Sequence, residues 1–448
     1  MEDTYGLVHG TCDVDEGIAT VNLTHATDGR WLLVRRIKAN PIITVVGDAH
    51  ITIDGRLQDV LLDEDLARKV FTRLSAGENY SDCFVFDEGQ TPTSMEHVEI
   101  EHRYTSTGMK LWRHADQLWA YKNGEPGSVV YAQISPEGAC NLKCPYCCVT
   151  YRMTSKRISL PVIKQYVEDL CSRGLKAVLL TGGGEPTTYK DFNELVQWMK
   201  HEKGLKLSLI TNGTMSKRVE DETWKAFSWI RVSTNMFNGW QEKIDIPRDK
   251  MADDCVIGMS ILYTGEHEVA KDEPFLMGLP VLKSVQKIAD KIDASYVRLL
   301  PNCLLSEKPL LAMQHTIEET LKELGDDRFF RQNKHHGTPD SHVCHMAYFR
   351  PYLSEQPWTD GEPGTVYPCD SVVDNEGAAH FKIKYGICKP QDILKFLDRQ
   401  IDMQFDPMEA CTGCVFTRNV NLLGRWKAGE EGRIAEFANK PIEHEEFV

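Results

Sequence analysis

The sequence predicts an α/β protein built on a partial (β/α)6 barrel, with an N-terminal α+β region before it and a small cysteine-rich domain after it. Two observations predict this. Between Val129 and Leu300, short apolar runs alternate with amphipathic helical stretches, as a parallel sheet covered by helices requires. Beyond that alternation, cysteines gather in two groups, Cys140 to Cys148 and Cys344 to Cys414. A chain of 448 residues accommodates about three domains at roughly 150 residues each. The boundaries drawn from these patterns are 1–125 for the N-terminal region, 126–310 for the barrel, 311–340 for a helix and linker, 341–424 for the cysteine-rich domain and 425–448 for a charged tail.

Val129–Ile134 is a short strand leading into the first cysteines. Ser159–Arg173 reads as a helix with Val162, Ile163, Tyr166, Val167 and Leu170 on one face and Gly174 as its stop. Ala177–Leu180 is a buried strand that runs into Thr181-Gly182-Gly183-Gly184-Glu185-Pro186. Asp191–Lys200 is a helix with Phe192, Leu195, Val196 and Met199 in helical spacing, and Leu207–Ile210 is a strand ending in Thr211-Asn212-Gly213-Thr214. A helix over Glu220–Phe227 precedes the strand Ile230–Ser233. Val256–Tyr263, a helix within Phe275–Ile292, and Tyr296–Leu300 complete the series. Parallel α/β folds bind ligands at the carboxyl ends of their strands. The cysteine loop, the glycine run, Thr-Asn-Gly and Ser233 all fall there.

The flanking parts carry less. Residues 1–125 hold β-like stretches at Trp31–Ile37, Ile42–Val46 and Ile51–Ile53, a hairpin turn at Asp54-Gly55 and an amphipathic helix near Asp65–Leu74. Structural packing is the preferred reading of this region, with recognition of a partner by strand addition as the other. His335 and His336 sit in a polar linker and are read as solvated. The tail either folds back as a helix or stays mobile.

Composition excludes several classes. Hydrophobic residues at 42% and charged residues at 26% rule out wholesale disorder. No apolar run approaches the roughly 18 residues of a membrane helix, and MEDTYGLVHG lacks the basic start and apolar core of a secretory signal. A soluble, cytoplasmic protein is expected. The net charge of −15 opposes extended nucleic-acid binding, which draws its affinity from basic surface.

Fourteen cysteines in a reducing compartment suggest metal or redox chemistry rather than disulfides. Cys12, Cys83, Cys171, Cys255 and Cys303 stand alone and read as small buried hydrophobes. Cys140-Asn-Leu-Lys-Cys144-Pro-Tyr-Cys147 is C-x3-C-x2-C, a spacing that chance would place in such a chain about 0.01 times. Three thiolates on one loop hold three corners of an iron–sulfur cube and leave the fourth iron open, whereas electron-transfer clusters are closed by four cysteines. An open metal position is where a ligand coordinates. Cys148 as a fourth ligand, and zinc in place of the cluster, are the alternatives.

This motif resembles that of the radical S-adenosylmethionine (radical SAM) enzymes, C-x3-C-x-aromatic-C, with Cys140, Cys144, Tyr146 and Cys147 at the matching positions. The resemblance implies a 4Fe–4S cluster whose open iron chelates the amino and carboxylate groups of SAM. It also implies reductive cleavage of SAM to a 5′-deoxyadenosyl radical that abstracts a substrate hydrogen, and a low-potential electron donor such as flavodoxin or ferredoxin. Gly183, Gly184 and Glu185 resemble the family's motif for the SAM amino group. Ser233 and Asn235 lie where the family holds the SAM ribose or carboxylate, with turn and capping roles as the alternative.

Cys344, Cys369, Cys411 and Cys414, with the turn at Asp360-Gly361 and a helix at Pro390–Arg399, resemble the auxiliary-cluster extension called SPASM, or its shorter twitch form. That resemblance implies a second, fully ligated 4Fe–4S cluster on those four cysteines, with Cys388 structural. A zinc ribbon, helped by His342 and His345, is the competing reading. The sequence assigns no catalytic acid or base. Peptide or protein modification is the preferred substrate class. Modification or isomerisation of a nucleotide, modified base or other small molecule is the alternative, and a non-catalytic zinc-binding module is the second.

Overall fold

The structure is a computed structural model. It describes most of residues 104–448, interrupted at 235–239, 264–277, 302–306, 333–336, 374–384, 429–443 and several shorter positions; before residue 104 it describes only short strands. The chain divides into two compact units, residues 1–100 with 428–434, and residues 101–427 with 435–448. In the first, Ile43–Val46 pairs antiparallel with His50–Ile53, which pairs with Arg56–Gln58 through Ile53↔Arg56. The hairpin turn expected at Asp54-Gly55 lies outside the described residues. The Trp31–Ile37 stretch contributes two short strands, Trp31–Leu32 and Ile37–Lys38, in separate sheets. The helix expected near Asp65–Leu74 lies outside the described residues, as do Cys12, Cys83, Cys303, His335 and His336.

The second unit is organised on one nine-stranded sheet. Its strands are β1 (Tyr131–Ile134), β2 (Ala177–Leu180), β3 (Lys206–Thr211), β4 (Phe227–Ser233), β5 (Val256–Tyr263), β6 (Tyr296–Pro301), β7 (Phe329–Arg331), β8 (Tyr352–Pro357) and β9 (Pro363–Tyr367). The spatial order is β7-β6-β5-β4-β3-β2-β1-β8-β9. Neighbours from β7 through β8 are all parallel, and only β9 is antiparallel to its partner. The six strands β1 to β6 are the partial barrel the sequence predicts. The sheet continues past it on both edges.

Helices connect the strands. α1 (Ala115–Asn123) precedes β1, and α2 (Leu160–Cys171) follows the cysteine loop with Pro161 in its first turn. α2 buries Ile163, Tyr166, Val167 and Leu170, one stripe at helical spacing. Cys171 ends it, only half-buried, whereas Cys255 before β5 is buried. α3 (Phe192–His201) buries Phe192, Leu195, Val196, Trp198 and Met199. α4 is a single turn, Asp221–Trp224, because β4 already starts at Phe227 where the sequence had suggested continued helix. α5 (Leu279–Lys291) and α6 (Glu307–Leu324) complete the series. The helix expected at Pro390–Arg399 is a 3-10 turn, Pro390–Asp392, followed by Ile393–Leu397. Arg399 stops it with φ 61°, a left-handed conformation that no helix continues. Thr417–Ala428 is helical across the start of the tail. Farther on, Phe447 packs edge-on against Tyr131 and Trp229, covering the amino-terminal end of β1. Among the described residues no helix is long and apolar enough to cross a membrane.

One register shows how tightly the sheet is specified. Arg231, Gly258 and Tyr296 are direct partners on β4, β5 and β6. Because Gly258 has no side chain, the Tyr296 ring crosses it and its hydroxyl accepts from Arg231 Nε at 3.0 Å. The ring is stacked on Tyr104 at 4.1 Å on its other side, and a Cβ at position 258 would fall within it. Gly258→Ala is therefore expected to destabilise this unit by about 1–3 kcal/mol through overpacking, read as a lowered thermal unfolding midpoint. An unchanged midpoint contradicts the register.

Candidate active site

The carboxyl ends of β1, β2 and β3 meet through hydrogen bonds. After β1 the chain enters the cysteine loop, 135–159; after β2 it enters Thr181–Pro186; after β3 it enters Asn212–Thr214. Main-chain bonds stitch the first two together: Gly184 N donates to Glu137 O at 3.2 Å and Glu185 N to Ala139 O at 2.8 Å. Side chains join the loop to the third. Asn141 Nδ2 donates to Thr214 Oγ1 at 2.8 Å, and Asn212 Nδ2 to Asn141 Oδ1 at 2.9 Å.

Each glycine of the run is required by a different neighbour. A Cβ on Gly182 would stand 2.5 Å from Ser135 Oγ, one on Gly183 would stand 2.6 Å from Glu355 Oε1, and one on Gly184 would overlap the Ala139 carbonyl. Glycine here permits close approach of backbone to backbone and to a buried carboxylate. The run is pressed onto the cysteine loop.

Glu185 closes the arrangement. Its side chain is 3% exposed. Oε1 accepts from Thr187 N (3.2 Å), Thr187 Oγ1 (2.6 Å) and Thr211 Oγ1 (2.6 Å), and Oε2 accepts from Asn212 N (2.8 Å). Burial pushes its pKa up, and these hydrogen bonds pull in the other direction. The carboxylate thus fixes the ends of β2 and β3 relative to each other. Nearby, Glu137 takes Arg157 Nη2 at 2.9 Å and Thr188 Oγ1 at 2.6 Å.

Cys140, Cys144 and Cys147 are half-buried on the loop held this way. Burial raises the Cys144 thiol to about 12, and the neighbouring Cys147 and Cys140 add to the shift. Cys140 is raised by burial and also feels Cys147. Donors reach the sulfurs: Arg152 Nη1 lies 3.1 Å from Cys147 Sγ, and Leu142 N 3.5 Å from Cys140 Sγ. Arg152 also donates to Gly138 O and Val149 O, which braces the loop. Ser233 ends β4 half-buried, and Thr234 N donates to Ser260 O at 2.7 Å. Asn235, Tyr146 and Cys148 lie outside the described residues.

In the second group, the hairpin of β8 and β9 brings two cysteines to one end: Cys344 opens the short turn His345–Tyr348 before β8, and Cys369 follows β9. Cys344 and Cys411 pack on Tyr352, Tyr367, Tyr385 and Phe405. Cys414 bridges to Gly337, its N donating to Gly337 O at 2.9 Å. Burial raises all four thiols. Cys344 also feels Cys414 and Cys411, and Cys369 feels Cys344 and Cys414. Cys388 is buried against Val366 and feels none of the four. The histidines considered for zinc are engaged otherwise: His345 meets Tyr121 Oη and Ser341 Oγ with its two nitrogens, and His342 pairs with Asp406 at 2.6 Å.

Both sets are soft thiol donors, three on one loop and four in the second group, which suits iron–sulfur clusters. Among the described residues no group of three or more His, Cys, Asp or Glu side chains is close enough to hold one metal ion. The fit therefore rests on the number, chemistry and mutual influence of the thiols.

Residues 134–239 match the model of the Radical SAM superfamily, so this part of the chain is a radical SAM domain. Over 112 residues it is 33% identical to a GTP 3′,8-cyclase of Vibrio parahaemolyticus, covering 23% of this chain and 33% of the relative. Over 102 residues it is 29% identical to an S-adenosylmethionine-dependent nucleotide dehydratase of Selenomonas ruminantium, covering 22% and 36%. The chain thus spans about a third of the length of these curated relatives. Among solved structures, Streptococcus suis SuiB bound to S-adenosylmethionine is similar at 13% identity and TM-score 0.43, over 64% of this chain and 73% of that one.

Sequence reasoning missed two features of the site. One is Glu355 on β8, behind Gly183. The other is the Asn141, Asn212 and Thr214 bridge, whose signal was present in Thr-Asn-Gly-Thr at a strand end.

Glu185→Ala is expected to lower the stability of this unit by about 2 kcal/mol or more, since a single deletion strands four donors. Iron taken up on reconstitution should fall relative to the wild type, as iron analysis of the variant would show. Full iron content with unchanged stability contradicts the role given to this carboxylate.

Proposed function

We propose that this protein reductively cleaves SAM and uses the resulting 5′-deoxyadenosyl radical to abstract a hydrogen from an unactivated carbon of its substrate. The observation that carries the reading is the meeting of the cysteine loop and the glycine run at adjacent strand ends within the matched domain. Cys140, Cys144 and Cys147 would hold the cluster, which when bound supplies one low-potential electron and an open coordination position. The protein's own part is positioning. Gly183, Gly184 and Glu185 would present backbone groups to the SAM amino group, because the Glu185 carboxylate is already engaged by Thr187, Thr211 and Asn212. Ser233 and Asn235, at the end of β4, would take the ribose or carboxylate. Arg152, donating to Cys147, would raise the potential of the bound cluster.

A second, fully ligated 4Fe–4S cluster would sit on Cys344, Cys369, Cys411 and Cys414, with Cys388 structural. Its support is that Cys344 and Cys369 lie at one hairpin end and that these thiols and those of Cys411 and Cys414 influence one another, an influence Cys388 does not share. The external electron donor would be flavodoxin or ferredoxin. For the substrate, peptide or protein modification follows from the resemblance of the cysteine hairpin to the SPASM and twitch extensions. The nucleotide reading has the named activities of the curated relatives behind it.

Anaerobic reconstitution tests the account of the two clusters. About eight irons in the wild type and about four in a Cys140/Cys144/Cys147→Ala variant are expected, with 5′-deoxyadenosine formed from SAM and dithionite only by the wild type. About four irons falling to none would remove the second cluster. Zinc in both groups, with no 5′-deoxyadenosine, would overturn the enzyme reading. Stimulation of SAM cleavage by nucleoside triphosphates, and not by peptides, would select the nucleotide substrate class.

A further inference from the structure

β8 reads Tyr-Leu-Ser-Glu-Gln-Pro, and the side chains of Ser354, Glu355 and Gln356 are all buried; Glu355 has 0% exposure. A carboxylate withdrawn from water requires a cation or a set of donors. Three neutral groups reach this one. Ser135 Oγ (2.7 Å) and Ser354 Oγ (3.2 Å) donate to Oε2, and Gln356 Nε2 (2.9 Å) donates to Oε1. Among the described residues no lysine, arginine or histidine pairs with it.

Its position gives this charge a direction. Only the first two residues of β8 pair with β1, through Gln133↔Tyr352 and Ile134↔Leu353. Ser354 to Pro357 therefore run on past the end of β1, beside the cysteine loop and the glycine run. Oε1 faces the Cα of Gly183, where a Cβ would stand 2.6 Å away. The Ser135 hydroxyl joins the two, accepting from Gly183 N at 2.9 Å while donating to Glu355. Carboxylate, hydroxyl and amide form one continuous chain from β8 to the loop after β2.

We propose that Glu355 is a positioning residue for the ligand of the glycine run. Through Ser135 it fixes the Gly183 peptide, and its buried negative charge favours a ligand that brings positive charge to that peptide. The inference rests on the reading of Gly183 and Gly184 as contacts of SAM, which is cationic at its sulfonium and its amino group. A charge enclosed by protein is weakly screened, so it acts on a neighbouring cation without touching it.

Calorimetric titration of the reconstituted full-length protein with SAM, and with 5′-methylthioadenosine, which lacks the sulfonium charge and the whole amino-acid chain, locates the effect at the charged end of the ligand, and the Gln and Asp substitutions separate charge from packing. Glu355→Gln is expected to weaken SAM at least tenfold and leave 5′-methylthioadenosine within twofold. Glu355→Asp, which restores the charge, should regain most of the preference for SAM. Ser135→Ala deletes one oxygen and leaves the Gly183 amide unpaired; it should weaken SAM about threefold to tenfold at unchanged iron content. This variant decides the matter even where Glu355→Gln does not fold. Equal weakening of both ligands by Glu355→Gln, or wild-type SAM affinity in Ser135→Ala, overturns the proposal. A wild type that binds iron but no SAM overturns the reading of the glycine run itself.

Discussion

The candidate site depends on the Glu185 carboxylate, buried between β2 and β3 and saturated by protein donors. Parallel strands present their ends side by side, but nothing in the sheet fixes the loops that leave them. Glu185 supplies that constraint for two of the loops. The glycine run it anchors then lies flat on the cysteine loop, because each glycine lacks the one atom that would push the two apart. Without the carboxylate, Thr211 and the Asn212 amide would lose their buried acceptor, at a cost comparable to a sizeable share of a domain's stability. Placing three thiols at the mouth of the barrel is thus a consequence of satisfying one buried charge.

The hairpin of β8 and β9 carries the same logic to the second cysteine group. At one end it contributes Glu355 to the glycine run, and at the other it places Cys344 and Cys369. It joins the barrel sheet directly through β1. A strand that spans both regions couples them mechanically, since a shift of β8 moves Glu355 and the hairpin cysteines together. Whatever role the second group has in chemistry, its folding bears on the geometry of the first.

Much of this was legible in the sequence because the signals were local. Ala177–Leu180 and Val256–Tyr263 are apolar runs bounded by turn residues, and the stripe on α3 follows from spacing alone. The shortened α4 shows the limit of such reasoning: helical propensity around Glu220–Phe227 gave way where β4 claimed Phe227 and Trp229 for the sheet. β7 is three residues long and contains an arginine, too little for any periodic signal. β8 is polar in its middle and ends in proline, which reads as an edge or a loop. Its place beside β1 is set by pairing across more than two hundred residues. Glu355 was invisible for the same reason, since burial of a carboxylate is a tertiary property. Glu185 was visible as a motif, but its donors Thr187, Thr211 and Asn212 are revealed only when the strand ends are brought together.

In the proposed reading, Cys140, Cys144 and Cys147 would hold a cluster that keeps a coordination position for SAM beside the glycine run. Electron–nuclear double resonance on the reduced, reconstituted protein with SAM labelled with 15N at its amino group tests this most directly. The account predicts a hyperfine coupling from that nitrogen large enough to require coordination to the cluster, and its loss in the Cys140/Cys144/Cys147→Ala variant. A wild type with full iron content, bound SAM and no such coupling would contradict it.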